Sequence, residues 1–227
     1  MKNKIYILTS SDEWLTAIII NKFRMNNNIA LVKIKNNKKD FMKLFKFLFL
    51  FGIINMIKVY ITQNKNKKFK IINLKKKQLN KFLKEKKKNK IFLVNYTDKI
   101  KYNFKNIYNC HPSLIPNYKG LMPIPRYFYD VVVNNKNHEL GLTIHKITQR
   151  FDSGKIIWNK KINLNKNYLV KEVYEKVYSN FYDGIKKIIS SNKIKITPVR
   201  QNKIEKKSLS LIEIIILRIN LYKKSIF

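Results

Sequence analysis

The residues best suited to chemistry in this chain are concentrated between positions 109 and 154. The protein has five glycines, five prolines and three histidines, and this stretch contains three, four and all three of them, respectively. Histidine exchanges a proton near neutral pH, while glycine and proline support unusual backbone conformations. Residues that can exchange protons and residues that allow unusual backbone conformations therefore occur in the same segment, and we expect the active site there.

Asn109 and His111 are two residues apart on a predicted strand, so their side chains project from the same face and converge on one small group. An amide donor and an imidazole are suited to an oxyanion that forms when a nucleophile attacks a carbonyl carbon. Asp152 lies in a turn beside Gly154. It is predicted to orient His111 or to relay a proton from an incoming amine, provided that the fold brings it near.

The single cysteine, Cys110, excludes an internal disulfide and a multi-thiolate metal site within one chain, and it favours a reducing, cytoplasmic location. Its position between Asn109 and His111 raises the question of a nucleophile. Neighbouring side chains on a strand point to opposite faces, so the pair is poorly placed for nucleophilic catalysis. We therefore predict that Cys110 packs in the core.

Strand and helix patterns alternate along the chain, which predicts an α/β fold with a mostly parallel sheet flanked by helices. The strand at 107–111 would place the chemical residues at its C-terminal end, the edge of such sheets where ligands bind. Predicted strands are 4–9, 29–34, 68–72, 90–95, 107–111, 140–147 and 155–162, and predicted helices are 13–25, 41–61, 77–87, 124–133, 168–189 and 208–221.

We expect a catalytic domain over residues 1–190, followed by a basic linker and a short apolar C-terminal helix over 191–227. The apolar segments 41–61 and 208–221 are interrupted by charged or polar residues, which disfavours a membrane span. Buried or amphipathic helices are favoured over helices at a lipid surface. Either helix would serve equally to cover a core or a dimer interface.

Three motifs in fixed order closely resemble the folate-dependent formyltransferase family. These are Asn-x-His-Pro-Ser-Leu-Ile-Pro-x-Tyr-x-Gly at 109–120, Gly-x-Thr-x-His at 141–145 and Asp-x-Gly at 152–154. The family includes glycinamide ribonucleotide, methionyl-tRNA and amino-sugar formyltransferases, and the resemblance is tightest over 90–160. It implies a Rossmann-like catalytic domain and transfer of a formyl group from 10-formyltetrahydrofolate to a primary amine, without a metal.

By this resemblance Asn109, His111 and Asp152 match the catalytic trio. Asn109 and protonated His111 would stabilise the oxyanion, and Asp152, directly or through water, would move protons between the amine and the leaving N10. The turn formed by Ser113, Leu114, Ile115 and Pro116 would lie against the folate, and the loop after Asn95 would help to hold the pterin.

Two further residues match family positions, Thr143 and His145, and they are expected to position the Asp152 loop. For His145 a satisfied histidine within a strand is an equally good interpretation. His138 has no counterpart in the motifs and is predicted to be a surface residue.

The acceptor amine is less constrained. Glycinamide ribonucleotide enzymes have a Gly/Ser/Asn loop for phosphate after the first strand, whereas residues 9–14 here lack glycine and contain two acids. Methionyl-tRNA enzymes share Gly-x-x-Pro-Ile, present at 120–124, but their Arg/Gly-rich insertion is missing and about 30 residues after the last long helix are few for a tRNA-binding barrel. Both departures are compatible with an enzyme that acts on an amino-sugar nucleotide or another small amine. We therefore rank such an acceptor level with methionyl-tRNA, and glycinamide ribonucleotide third.

The formal charge of +36 would normally indicate a polyanionic partner, which leaves tRNA open. The lysines, however, are scattered with asparagine and isoleucine through every region, as biased codon usage would produce. The alternative function is a catalytically silent, basic relative that binds RNA or a membrane. The intact trio counts against that alternative.

Overall fold

A computed structural model describes residues 4–10, 23, 28–35, 70–100, 105–164, 170–191, 197–198 and 208–223. The predicted helix at 41–61 and, apart from Phe23, the predicted helix at 13–25 lie outside these ranges. Most of the predicted linker after residue 191 lies outside them as well.

The described strands form one sheet of seven with the spatial order β3-β2-β1-β4-β5-β6-β7. Strands β1 to β5 run parallel, whereas β6 pairs antiparallel with both β5 and β7. The α/β prediction with a mostly parallel sheet is confirmed. The strands are β1 (Ile5–Ser10), β2 (Ile29–Lys35), β3 (Ile71–Lys75), β4 (Lys90–Val94), β5 (Ile107–His111), β6 (Gly141–Lys146) and β7 (Ile156–Lys161).

Apolar residues cover both faces of the central strands. All six residues of β1 are buried, and alternate side chains enter two separate core clusters: Ile5 and Ile7 in one, Tyr6 and Leu8 in the other. This is the pattern of a parallel sheet with both faces covered. The edge strand β3 instead has only exposed and half-buried residues. The prediction of a strand at 68–72 was wrong in its bounds, because pairing with β2 runs from Ile71 to Lys75.

Four helices are described: α1 (Leu79–Glu85), α2 (Pro123–Phe128), α3 (Val170–Ser190) and α4 (Leu211–Lys223). They confirm the helices that the sequence predicts in these regions. A 3₁₀ turn precedes α1 at Lys76–Gln78, and α2 continues into a π-helical segment, Tyr129–Val133. The two prolines in the first turn of α2 are tolerated there because the first helical N–H groups have no partner within the helix.

Helix α4 belongs to the main hydrophobic core. Ile214, Leu217 and Leu221 are fully buried in the cluster that also contains the inner residues of β6 and α3. Within the described ranges, no helix is both long and apolar enough to cross a bilayer.

The sheet geometry brings the chemical residues together. In the antiparallel β5–β6 pair, Asn109 lies opposite His145, and His111 lies opposite Thr143. The connection from β6 to β7 then carries Asp152 back toward the C-terminal end of β5. Residues separated by about 40 positions in sequence thus share one site.

Candidate active site

Asn109 contacts both the carboxylate of Asp152 and the imidazole of His145. Its side-chain nitrogen Nδ2 donates a hydrogen bond to Oδ1 of Asp152 at 3.0 Å and lies 3.1 Å from Nε2 of His145. The fold therefore brings Asp152 into contact with Asn109, which lies 43 positions earlier in the sequence. Both protons of the amide are directed at partners within the site.

Asp152 is a buried carboxylate with three side-chain neighbours and one backbone donor. Its Oδ1 lies 3.5 Å from Nδ1 of His111 and 3.3 Å from Nε2 of His145, and its Oδ2 accepts a hydrogen bond from the backbone N–H of Gly120 at 2.8 Å. Burial alone would raise the pKa of this carboxyl, but the two imidazoles and the Gly120 N–H together hold it well below its usual range. Asp152 is ionised at neutral pH.

His111 is also buried, and its two ring nitrogens have different partners. Nε2 lies 2.9 Å from the backbone carbonyl oxygen of Tyr118, whereas Nδ1 faces Asp152. A carbonyl oxygen only accepts, so Nε2 carries a proton. Burial lowers the pKa of His111 from its ordinary value, although the neighbouring Asp152 carboxylate opposes this effect.

His145 is held by both sides of its ring. Nδ1 donates to the carbonyl oxygen of Lys146 at 2.8 Å, which leaves Nε2 toward Asn109 and Asp152. The side chain is 2% exposed. In this arrangement His145 touches Asp152 directly.

The Ser113–Pro116 turn is held in place by hydrogen bonds from Thr143 and within the turn itself. Thr143 Oγ1 donates to the carbonyl of Ser113 at 2.8 Å and accepts from the N–H of Ile115 at 3.1 Å. The hydroxyl of Ser113 donates to the carbonyl of Asn117 at 2.7 Å, and the Ile115–Pro116 peptide is cis. Thr143 therefore acts on the turn, whereas His145 acts on Asp152.

A cavity opens beside Asn109, His145 and Asp152. Tyr96 and Ile147 are among its lining residues, and so are Lys99 and Phe151, whose ammonium and ring lie 5.5 Å apart. Its wall also includes Asp98, Gln149 and Arg150, so apolar and aromatic side chains lie beside several charged and polar ones. The side chains of Asn109 and Asp152 thus border this cavity.

Two contacts in the site could not be identified from residue types. Tyr118 and Gly120 act through a backbone carbonyl and a backbone N–H, and every residue has these groups. Their φ angles of 51° and 95° are the structural sign that this loop has an unusual path. Their place inside the 109–120 motif is the only sequence signal for them.

The two remaining predictions in this region concern Cys110 and His138. Cys110 is buried in the core, as predicted, and burial raises the pKa of its thiol well above the ordinary value, which disfavours a reactive thiolate. His138 is half-exposed, but its ring also meets that of Tyr118 edge-on at 5.6 Å. Among the residues whose positions are described, no cluster of ligating side chains suits a metal ion.

Curated methionyl-tRNA formyltransferases are similar to part of this chain. The enzyme of Thermosipho melanesiensis is 30% identical over 96 residues, which is 42% of this chain and 30% of that protein. The enzyme of Thermotoga maritima is 40% identical over 58 residues, 26% of this chain and 17% of that protein. The chain thus matches less than a third of the length of each of these two relatives.

Solved structures of formyltransferases share the fold. Phosphoribosylglycinamide formyltransferase from Anaplasma phagocytophilum is 14% identical with a TM-score of 0.55, covering 90% of this chain and 97% of that one. WlaRD, a sugar 3N-formyl transferase crystallised in the presence of dTDP and 5-N-formyl-THF, is 20% identical with a TM-score of 0.57, covering 100% of this chain and 80% of that one. These likenesses confirm the predicted Rossmann-like formyltransferase fold.

A sequence model described as formyl transferase matches residues 4–189, the stretch that contains the entire site described above. Because the match extends over most of the sequence, the chain belongs to the formyl transferase family.

Proposed function

We propose that this protein transfers a formyl group from 10-formyltetrahydrofolate to a primary amine. The observation that carries the proposal is the convergence of Asn109, His111 and the ionised Asp152 beside an open cavity. An amide, an imidazole and a carboxylate supply the donors and the proton acceptor that acyl transfer to an amine requires.

The reaction has a simple electron and proton balance. The lone pair of the amine attacks the formyl carbon, and the carbonyl π electrons move onto oxygen. The new C–N bond leaves a positive charge on the amine nitrogen, which loses a proton. The electrons on the oxygen then re-form the carbonyl as the bond between the formyl carbon and N10 breaks, and N10 takes the bonding electrons and a proton and departs. Asp152, directly or through a water molecule, is the group placed to relay that proton.

Asn109 and His111 are assigned to the oxyanion. Both Asn109 amide protons are directed within the site, so we infer that one of them is released from Asp152 or His145 when the formyl oxygen arrives. For His111 the nitrogen available is Nδ1, since Nε2 is held by the Tyr118 carbonyl. The growing negative charge would favour protonation of Nδ1, which burial disfavours in the substrate-free site.

We propose that the cavity lined by Tyr96, Ile147 and Phe151 receives the pterin of the folate. A pterin is a flat, polar heterocycle that gains from apolar and aromatic walls with backbone groups at its edge. The Ser113–Pro116 turn, held rigid by Thr143, is proposed to contact the rest of the folate.

For the acceptor we propose an amino-sugar nucleotide or methionyl-tRNA. Methionyl-tRNA formyltransferases are among the sequence relatives, and sugar N-formyltransferases are among the structural neighbours. Glycinamide ribonucleotide is third. The hydroxyl of Ser10, at the end of β1, donates to the Asn95 carbonyl at 2.6 Å instead of facing a phosphate site.

The test is release of tetrahydrofolate, followed by absorbance, when the protein and 10-formyltetrahydrofolate are offered methionyl-tRNA, amino-sugar nucleotides and glycinamide ribonucleotide in parallel. Asp152→Asn and His111→Ala are each expected to lower kcat by roughly 10²–10⁴-fold. Asp183→Asn, which neutralises an exposed carboxylate on α3, is the charge-matched control and should keep the wild-type rate. Wild-type rates in both site variants would contradict the assigned roles.

The dependence of KM on salt concentration distinguishes the two leading acceptors, methionyl-tRNA and an amino-sugar nucleotide. Counterion release makes binding of a long polyanion fall steeply with salt concentration, whereas a nucleotide with a few phosphates responds weakly. A steep rise of KM with salt would identify tRNA. Folate binding without turnover would indicate an amine outside the panel, and salt-sensitive binding of RNA or anionic vesicles without folate binding would indicate the silent basic relative.

A further inference from the structure

Tyr118 has an unusual backbone conformation at the point where it meets His111. Its φ is 51°, in the left-handed region that bulky residues rarely occupy. Its carbonyl oxygen lies 2.9 Å from Nε2 of His111. This conformation is strained for a bulky residue, so surrounding contacts must hold it there.

The side chain of Tyr118 is held from several directions. Its hydroxyl donates to Oδ2 of Asp130 at 3.1 Å, and its ring meets His138 edge-on and lies 5.6 Å from the Arg126 guanidinium. The ring of Tyr127 also approaches edge-on, at 6.2 Å. These contacts fix the ring, and through it the peptide that carries the carbonyl.

Asp130 is itself well supported as an acceptor. Its Oδ1 accepts from the side-chain nitrogen of Asn134 at 2.9 Å, and Lys136 lies 3.5 Å away. Burial alone would raise the pKa of Asp130, but the hydrogen bonds from Asn134 and Tyr118 and the charge of Lys136 hold it below the usual range. The carboxylate is available to the Tyr118 hydroxyl at neutral pH.

The contact with the Tyr118 carbonyl determines which ring nitrogen of His111 carries the proton. Because the Tyr118 carbonyl only accepts, the neutral ring carries its proton on Nε2 and leaves Nδ1 unprotonated. Nδ1 faces Oδ1 of Asp152 at 3.5 Å. Loss of the carbonyl contact would let the proton move to either nitrogen, and the two tautomers would coexist.

We propose that Tyr118 is a positioning residue: Asp130 anchors its phenol, its carbonyl fixes the Nε2–H tautomer of His111, and Nδ1 becomes the nitrogen that exchanges a proton beside Asp152. The catalytic consequence rests on the proposed formyl transfer, whereas the tautomer itself does not. Besides Asp152, the charged or titratable groups acting on His111 are His145 and Arg126.

The experiment combines ¹⁵N NMR of the histidine rings with kinetics. With three histidines in the chain, the His111 signals are assigned by their loss in His111→Ala. Wild type should show one neutral tautomer, protonated on Nε2. Tyr118→Phe and Asp130→Ala should each show a mixture, with kcat lowered about tenfold and KM for the folate unchanged, as for loss of one hydrogen bond to a charged group.

Two variants serve as matched controls. Asp130→Asn keeps an oxygen acceptor for the phenol and should restore the single tautomer and most of kcat. Tyr127→Phe removes the hydroxyl of the neighbouring buried ring without touching Asp130, and it should behave as wild type.

A wild-type tautomer in both Tyr118→Phe and Asp130→Ala would overturn the proposal, and so would an equal disturbance in Tyr127→Phe. The NMR result also separates this inference from the proposed function. The expected tautomer pattern in a protein without formyl transfer would support the positioning role and contradict the function.

Discussion

At the residue scale, the site places one ionised carboxylate between two imidazoles in a buried environment. Asp152 accepts from the Asn109 amide and the Gly120 N–H, which are neutral donors, and the rings of His111 and His145 add to the stabilisation of its charge when they are protonated. A buried carboxylate that is fully hydrogen-bonded is stable, but one that loses a donor is costly. The site is therefore sensitive to small changes in its backbone.

His111 makes a testable contribution to the pH dependence of stability. Burial lowers its pKa from the ordinary value of 6.5, so the unfolded chain binds this proton at a higher pH than the folded protein. Below pH ~6.5 the unfolded state then carries more protons, and the free energy of unfolding falls as pH falls until the folded pKa is reached.

We expect His111→Gln to lose this part of the slope, as measured by urea unfolding at several pH values between about 7 and 5. Parallel curves for the two proteins would contradict the lowered pKa.

Strand periodicity predicted that Asn109 and His111 share one face of the sheet, whereas the approach of Asp152 was expected only from the resemblance to the family. The contacts of the Tyr118 carbonyl with His111 and of the Gly120 N–H with Asp152 were not predicted, because every residue type has these backbone groups. The role of Thr143 differs from the expectation for the same reason. Its hydroxyl meets two backbone groups of the Ser113–Pro116 turn.

At the element scale, the β6–β7 connection depends on close approach at Gly154. A Cβ there would overlap the Lys146 carbonyl oxygen and lie 3.4 Å from Nδ1 of His145. The same carbonyl accepts the hydrogen bond that holds His145 against Asp152. Backbone packing and the orientation of the site are thus coupled at one glycine.

We therefore expect Gly154→Ala to lower stability by ~1–3 kcal/mol, because the turn must move away from β6. The displaced carbonyl should also loosen His145, and kcat should fall with it. Lys155→Ala, at the exposed neighbouring residue, should change neither quantity. Urea unfolding and initial rates check both effects, and wild-type stability in Gly154→Ala would contradict the close approach.

Secondary structure was predictable where hydrophobic patterns were strong, as in β1 and α3. The bounds of β3 were missed because an edge strand with no fully buried residue has a weak pattern. The helix predicted over 124–133 includes the π-helical segment Tyr129–Val133, but the sequence did not distinguish its i→i+5 hydrogen bonding, because five residues are too few to show a different period.

At the scale of the whole molecule, two apolar cores lie on opposite faces of the sheet, and the larger one reaches α4 near the C-terminus. Helix α4 also packs against the π-helical segment that contains Asp130, the residue that anchors Tyr118. This supports a single cooperative unit in which residues 191–227 add a helix to the catalytic domain, the division of the chain that we propose.

Leu217 is the residue that tests this arrangement. Its side chain is fully buried, so Leu217→Ala removes packed apolar volume and should lower the free energy of unfolding by ~2–5 kcal/mol. Ile219→Ala, two residues further along the same helix, truncates a side chain that is 49% exposed and should cost ~0.5 kcal/mol or less.

Urea unfolding followed by both circular dichroism and tryptophan fluorescence gives the measurement. Coincident transitions, shifted together by Leu217→Ala, are expected because α4 shares the core of the sheet. A small separate transition that alone responds to the substitution would instead make the C-terminal helix an independent unit.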